Sequence, residues 1–172
     1  MRKVLIALLG LLLAVGLAPL PAQDAEAVLK LKNQIIDLQN KGRLAFKDFT
    51  LCAKVLGFGS YVPLEQPAVR QGAELLVYYE PVNVFTNRVK GQFEIWYTQD
   101  IVLQSAQGEV LYEQKELLSF RYVSRSPVFD LYATNSLDLG NLPPGKYTYQ
   151  AVLRDKLKEA AVEYTLPFQV MK

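Results

Sequence analysis

The chain has 172 residues, with 19 basic and 17 acidic side chains, no histidine and one cysteine. Without histidine there is no Ser-His-Asp triad, no Cys-His pair and no histidine-ligated metal, and a single cysteine allows neither an internal disulfide nor a thiolate cage. The small basic excess is Arg2 and Lys3, so no charge surplus beyond them draws in nucleic acid or an anionic membrane over long range.

Arg2 and Lys3 precede an unbroken apolar run from Val4 to Leu17, closed by Ala18, Pro19, Leu20, Pro21 and Ala22. Charge, apolar core and small residues in that order form a secretory leader, with cleavage expected after Ala22. A bilayer span takes roughly 20 apolar residues, and prolines interrupt this run first. No stable membrane anchor is therefore expected after cleavage, and the expected location is the periplasm or the cell exterior.

Asp24 to Lys41 reads as an amphipathic helix. Ala25, Val28, Leu31, Ile35 and Leu38 recur at spacings of three and four, and Leu29 and Ile36 widen the stripe. Asp24 and Glu26 suit the positive end of the helix dipole, Lys41 and Arg43 the negative end, and Gly42 is placed to stop the helix. Two readings stay open: a helix lying against the body that follows, or a short coiled-coil or partner-binding helix. Val28, Leu31, Ile35 and Leu38 fit a and d positions, so self-association through the helix is among the expectations.

Seven strands follow from alternation and turn signals: Phe46 to Leu56, Ala73 to Val82, Gln92 to Gln104, Glu109 to Leu117, Val128 to Leu139, Lys146 to Arg154 and Ala161 to Val170. Between the first two, Gly57, Phe58, Gly59, Ser60 and Tyr61 open a stretch whose aromatics either cap the core or stand out for recognition. Apolar residues on both faces of Ala73 to Val82 imply cover on both sides, with the helix as candidate cover. Trp96 falls among Glu94, Thr98 and Asp100 on the polar parity of its strand, so it packs under the helix or stands partly exposed at a contact surface. Cys52 is expected to be buried as a small apolar residue.

Pro143, Pro144 and Gly145 turn the chain into Tyr147, Tyr149, Ala151 and Leu153, with Gly145 accepting a positive φ. This L-x-x-G-x-Y turn resembles the last hairpin of an immunoglobulin-like or fibronectin-III-like β-sandwich of exported bacterial proteins. The resemblance implies an all-β, seven-stranded antiparallel Greek-key sandwich preceded by one amphipathic helix. It gives Tyr147 the place of the tyrosine corner, whose hydroxyl ties back to nearby backbone. The missing disulfide and the parity of Trp96 depart from the immunoglobulin pattern. Gly57 to Tyr61 is also similar to a GFG-x-Y segment of secreted bacterial proteins, which brings no activity with it. The chain then divides into a leader (1–22), an amphipathic helix (23–45) and one sandwich domain (46–172).

For chemistry, Glu94 and Asp100 share a strand and a parity, but six residues of strand is about 20 Å, too far for either glycosidase geometry. Glu74 and Glu80 fail by the same distance. No phosphate-binding glycine motif opens a helix. Asp155 suits its own turn better than calcium. The expectation is no catalytic residue, no cofactor and no metal. The leading functional reading is a non-enzymatic protein-binding or structural accessory module of the cell envelope that holds another envelope protein and no nucleic acid. The alternative is a protease inhibitor presenting the loop Gly57 to Gln71. Candidate contact residues are Phe58, Tyr61, Trp96, Leu31 and Ile35; Tyr147, Gly145 and Cys52 are read as structural.

Overall fold

The computed structural model describes residues 23–140 and 142–172. The leader reading of residues 1–22 lies outside them. The elements in order are α1 (Gln23–Lys41), β1 (Ala45–Gly57), β2 (Ser60–Pro63), β3 (Ala68–Arg70), β4 (Glu74–Val82), β5 (Asn87–Val89), β6 (Gln92–Ser105), β7 (Val110–Ser124), β8 (Ala133–Asp138), β9 (Gly145–Asp155) and β10 (Ala160–Met171). The described chain is therefore all-β with one helix. No helix among the described residues is long and apolar enough to cross a membrane.

The strands form two sheets, one ordered β2-β1-β4-β8 and the other β3-β10-β9-β6-β5, with β7 also on β6. β5 and β9 share one edge of β6, and β7 takes the other. Inward residues of both sheets make a common core. Leu51, Leu75 and Val77 from one meet Ile101, Leu103, Tyr149, Ala151 and Phe168 from the other. A second cluster, with Leu44, Val84, Ile95, Tyr97, Leu131 and Leu153, fills the end nearer the helix.

Among the described residues ten strands replace the expected seven, and not all are antiparallel: β3 pairs parallel with β10. The strand expected from Val128 to Leu139 shrinks to β8. The one expected from Glu109 to Leu117 lengthens to Ser124, because a bulge hides its continuation. Glu116 sits at φ 49°, and its N–H donates to Asp100 Oδ1 at 2.9 Å. A side chain thus takes the place of a ladder partner, and three residues of β7, 115–117, stand opposite Asp100 alone, which interrupts the alternation there.

A bulge also explains β1. The register shifts between Lys47 and Thr50 with Asp48 at φ 52°. Phe46 and Phe49, three residues apart, consequently both turn inward, their rings 5.0 Å apart and edge-on. The short hairpin from β5 to β6 turns on Lys90 and Gly91, both at positive φ, which is the type I′ geometry that suits twisted strands.

The helix does not cover β4. It lies across one end of the two sheets, where the β4–β5, β7–β8 and β9–β10 connections meet it. Asn40 and Thr86 exchange two hydrogen bonds, Nδ2 to the Thr86 carbonyl at 2.9 Å and the Thr86 N–H to Oδ1 at 2.8 Å. Arg88 reaches Asn33 and Asp37. Lys158 Nζ donates to the carbonyls of Asn40 and Gly42 at 2.7 and 2.9 Å, a cation at the negative end of the dipole.

Candidate functional site

The five candidate contact residues lie on three separate surfaces. Phe58 stands at the β1–β2 hairpin tip, 43% exposed. Tyr61, on β2, stacks on Tyr78 with ring centroids 4.2 Å apart. Trp96 is half-buried on the outer face of the other sheet, not under the helix, with the Arg121 guanidinium 4.9 Å over its ring. Arg121 is held there by Glu94 through Nε and Nη2 at 2.9 and 2.7 Å. Leu31 and Ile35 are exposed on α1. The stretch Gly57 to Gln71 holds β2 and β3 and is no free loop of the kind an inhibitor presents.

Among the structural residues, Cys52 is buried, and burial pushes its thiol up. The Tyr147 hydroxyl donates to the Pro143 carbonyl at 2.7 Å. Gly145 needs correction, since its φ is not positive and it opens β9. The left-handed residue of this reversal is Gly140, at φ 51°. A Cβ at Gly145 would stand 3.4 Å from the Tyr147 hydroxyl oxygen, an ordinary van der Waals contact, so neither backbone angle nor space demands glycine.

The outer face of the β2-β1-β4-β8 sheet carries the densest polar cluster. Tyr78 lies between Tyr61 and Tyr132 in one stacked row. Its hydroxyl donates to Glu80 Oε1 at 2.7 Å and accepts the Gly59 N–H at 2.8 Å. Lys47 Nζ holds the other oxygen of Glu80 at 3.0 Å and Asp48 at 3.3 Å. The hydrogen bond to Glu80, then that to Asp48, raises the Lys47 ammonium above its ordinary value.

A tyrosine beside a carboxylate serves some glycosidases as nucleophile and base. Here burial, then the bond to Glu80, pushes the Tyr78 phenol up to about 12. Its donor and acceptor are both engaged, and Tyr78 and Glu80 are 0% and 2% exposed. The cluster is a lock that ties the β1–β2 hairpin to β4. Among the described residues no acidic or cysteine cluster is placed to hold a metal.

A cleft of about 550 Å³ lies at the end of the molecule away from the helix. Its outer-face wall follows from register: Lys146 is opposite Gln169, Thr148 opposite Pro167, and Gln169 opposite Ala68 on β3. Pro67 and Ala106, from the link before β3 and the β6–β7 turn, complete an apolar surface, with Gln66, Tyr147 and Phe168 also lining it. Lys146 is the one charged group in the lining and makes no ion pair among the described residues. The arrangement can hold apolar surface and pair one anionic head, with Thr148, Gln66 and Gln169 as neutral hydrogen-bonding groups. Sequence reasoning missed it because the parallel pairing that brings Pro67 and Ala68 beside Gln169 leaves no periodic signal.

No family model matches the chain, and no curated protein matches it either. Among solved structures it is similar to the Pseudomonas fluorescens alkylpurine DNA glycosylase AlkC bound to DNA containing an abasic-site analogue. The TM-score is 0.45 and the identity 8%, over 86% of this chain and 36% of that one. That neighbour is an enzyme on nucleic acid. It runs against the expectations of a non-enzymatic envelope module, of its inhibitor alternative and of a partner set without nucleic acid, and these do not stand. A likeness at this score transfers neither activity nor DNA binding to the present chain.

Proposed function

We propose that the chain is an immunoglobulin-like sandwich that binds an amphipathic carboxylate, an apolar chain ending in an anionic head, in the cleft beside Lys146. The fold part is supported by strand order. β1, β4 and β8 take the places of strands A, B and E, while β6, β9 and β10 take those of C, F and G. Tyr147 and its bond to Pro143 occupy the tyrosine corner, and Tyr149, two residues on, stands where the second cysteine of an immunoglobulin domain would be.

The observation that carries the ligand reading is Lys146, which makes no ion pair among the described residues, beside an apolar surface. A lysine on such a surface buries its methylenes and keeps its head available, and an anion brought there gains a charge-assisted bond in partly dry surroundings. The cleft's size lies within the range of small-molecule sites.

Decanoate titrated into the protein and followed by amide shifts tests the proposal. Saturable shifts are expected at Lys146, Thr148 and Gln169. Lys146→Gln should weaken binding about tenfold, ~1.4 kcal/mol, with the fold intact because the side chain is exposed. The absence of saturable shifts at these residues would sink it.

A further inference from the structure

The helix presents its apolar stripe away from its own body. Ile36 is the apolar residue of α1 that is fully buried, and the hydrogen bonds and ion pairs to the sheets come from Lys32, Asn33, Asp37 and Asn40. At about 100° per residue, the centre of the Val28, Leu31, Ile35 and Leu38 stripe lies about 160° round the helix from that docked set. These four residues are 49%, 59%, 43% and 71% exposed. Asp24 to Lys30 are all exposed, so the first half of the helix overhangs the sheets.

We propose that a second copy of this chain covers the stripe, the two α1 helices pairing antiparallel about a two-fold axis. Val28 then faces the partner's Leu38, and Leu31 faces the partner's Ile35. Valine and isoleucine alternating with leucine interlock across such a seam. Charge decides the orientation. α1 is acidic in its first turn, at Asp24 and Glu26, and basic in its last, at Lys41. An antiparallel pair sets Asp24 beside the partner's Lys41, whereas a parallel pair sets like ends together. Each overhanging first half also gains support from the partner's anchored second half. The contact is isologous and closes at two copies. Two heptads make it weak, so association is reversible and concentration-dependent.

Sedimentation of the full chain over a concentration series should show mass rising from one chain to two and no further. Leu31→Glu, at an exposed position, should keep the far-ultraviolet spectrum of the sheets and move the midpoint at least tenfold upward. In a Cys52→Ala background, an equimolar mixture of Asp24→Cys and Lys41→Cys chains should oxidise mainly to the mixed disulfide. A chain monomeric at every concentration overturns the proposal. So does a dimer indifferent to Leu31→Glu, which would place association elsewhere, or a monomer that pellets with phospholipid vesicles through this stripe. Homodisulfides in preference to the mixed one overturn the antiparallel arrangement.

Discussion

At the residue scale, the two sheets are joined by a knot of four polar side chains. Tyr79 on β4 donates its hydroxyl to Gln99 Oε1 at 2.6 Å, Gln99 Nε2 on β6 donates to Asn135 Oδ1 on β8 at 2.8 Å, and Tyr149 on β9 donates to the same oxygen at 3.1 Å. None of the four is more than 6% exposed. A chain with one cysteine has no internal disulfide to join its sheets, and neutral hydrogen bonds join them here. Their worth lies mostly in what is lost when one is removed, because a buried acceptor without a donor keeps its full desolvation cost. Tyr79→Phe strips Gln99 Oε1 of its donor and should destabilise the fold by about 1–3 kcal/mol in urea unfolding. Adding Gln99→Leu to it should cost less than the sum of the two single changes, because the stranded oxygen goes too. A Tyr79→Phe variant as stable as the parent would show that the knot holds nothing. In the sequence, Gln99 shares the parity of Ile95, Tyr97, Ile101 and Leu103, which places it inward. Nothing in that row says that Asn135, 36 positions on, will meet it.

At the element scale, periodicity locates an element but does not aim it. The helix and its stripe were legible, as were the spans of β1, β4, β6, β9 and β10 to within a residue or two. The direction of the stripe was not, because it is set by Asn40 bonding Thr86 and by Asn33 and Asp37 bonding Arg88, pairs 46 to 55 positions apart. The length of β7 was hidden by the bulge that Asp100 pins, and the cleft by a parallel pairing. Asn40→Ala tests the account of the helix. Thr86 is 4% exposed, so its N–H would lose its partner in a nearly dry setting, at a cost of about 1–2 kcal/mol. The effect belongs to one element: amide exchange should speed up along α1 while β6 and β9 keep their protection. Unchanged exchange in α1 would mean that Ile36 and the Lys158 contacts suffice to dock it.

At the scale of the whole molecule, four buried tyrosines set the alkaline limit of stability. Burial pushes the Tyr97 phenol up to about 12, and burial followed by the bond to Glu80 does the same for Tyr78. Tyr79 and Tyr149, inside the knot, are pushed higher still, again chiefly by burial. A phenol raised in the folded state above its ordinary 10.0 keeps its proton when the unfolded chain has already released it. Between about pH 10 and 12 the folded state therefore binds more protons, and stability falls as pH rises. Below pH 10 this contribution is complete. The acid side has the opposite sign. Burial raises the Asp100 carboxyl, but the Glu116 N–H and Arg154 outweigh it and hold the group below its ordinary 3.8. Its contribution is present above that value and fades as pH drops through the folded pKa. Tyr79, Tyr97 and Tyr149, on β4, β6 and β9, face the interior between the two sheets, and Tyr78 is buried on the outer face between Tyr61 and Tyr132, so none can ionise without opening its packing. The tyrosinate absorbance of these four should accordingly appear above pH 10, in one steep step that coincides with loss of the sheet circular-dichroism signal. If these four ionise near pH 10 while the sheet signal persists, solvent reaches their rings in the folded state, and their packing does not seal them as their burial implies.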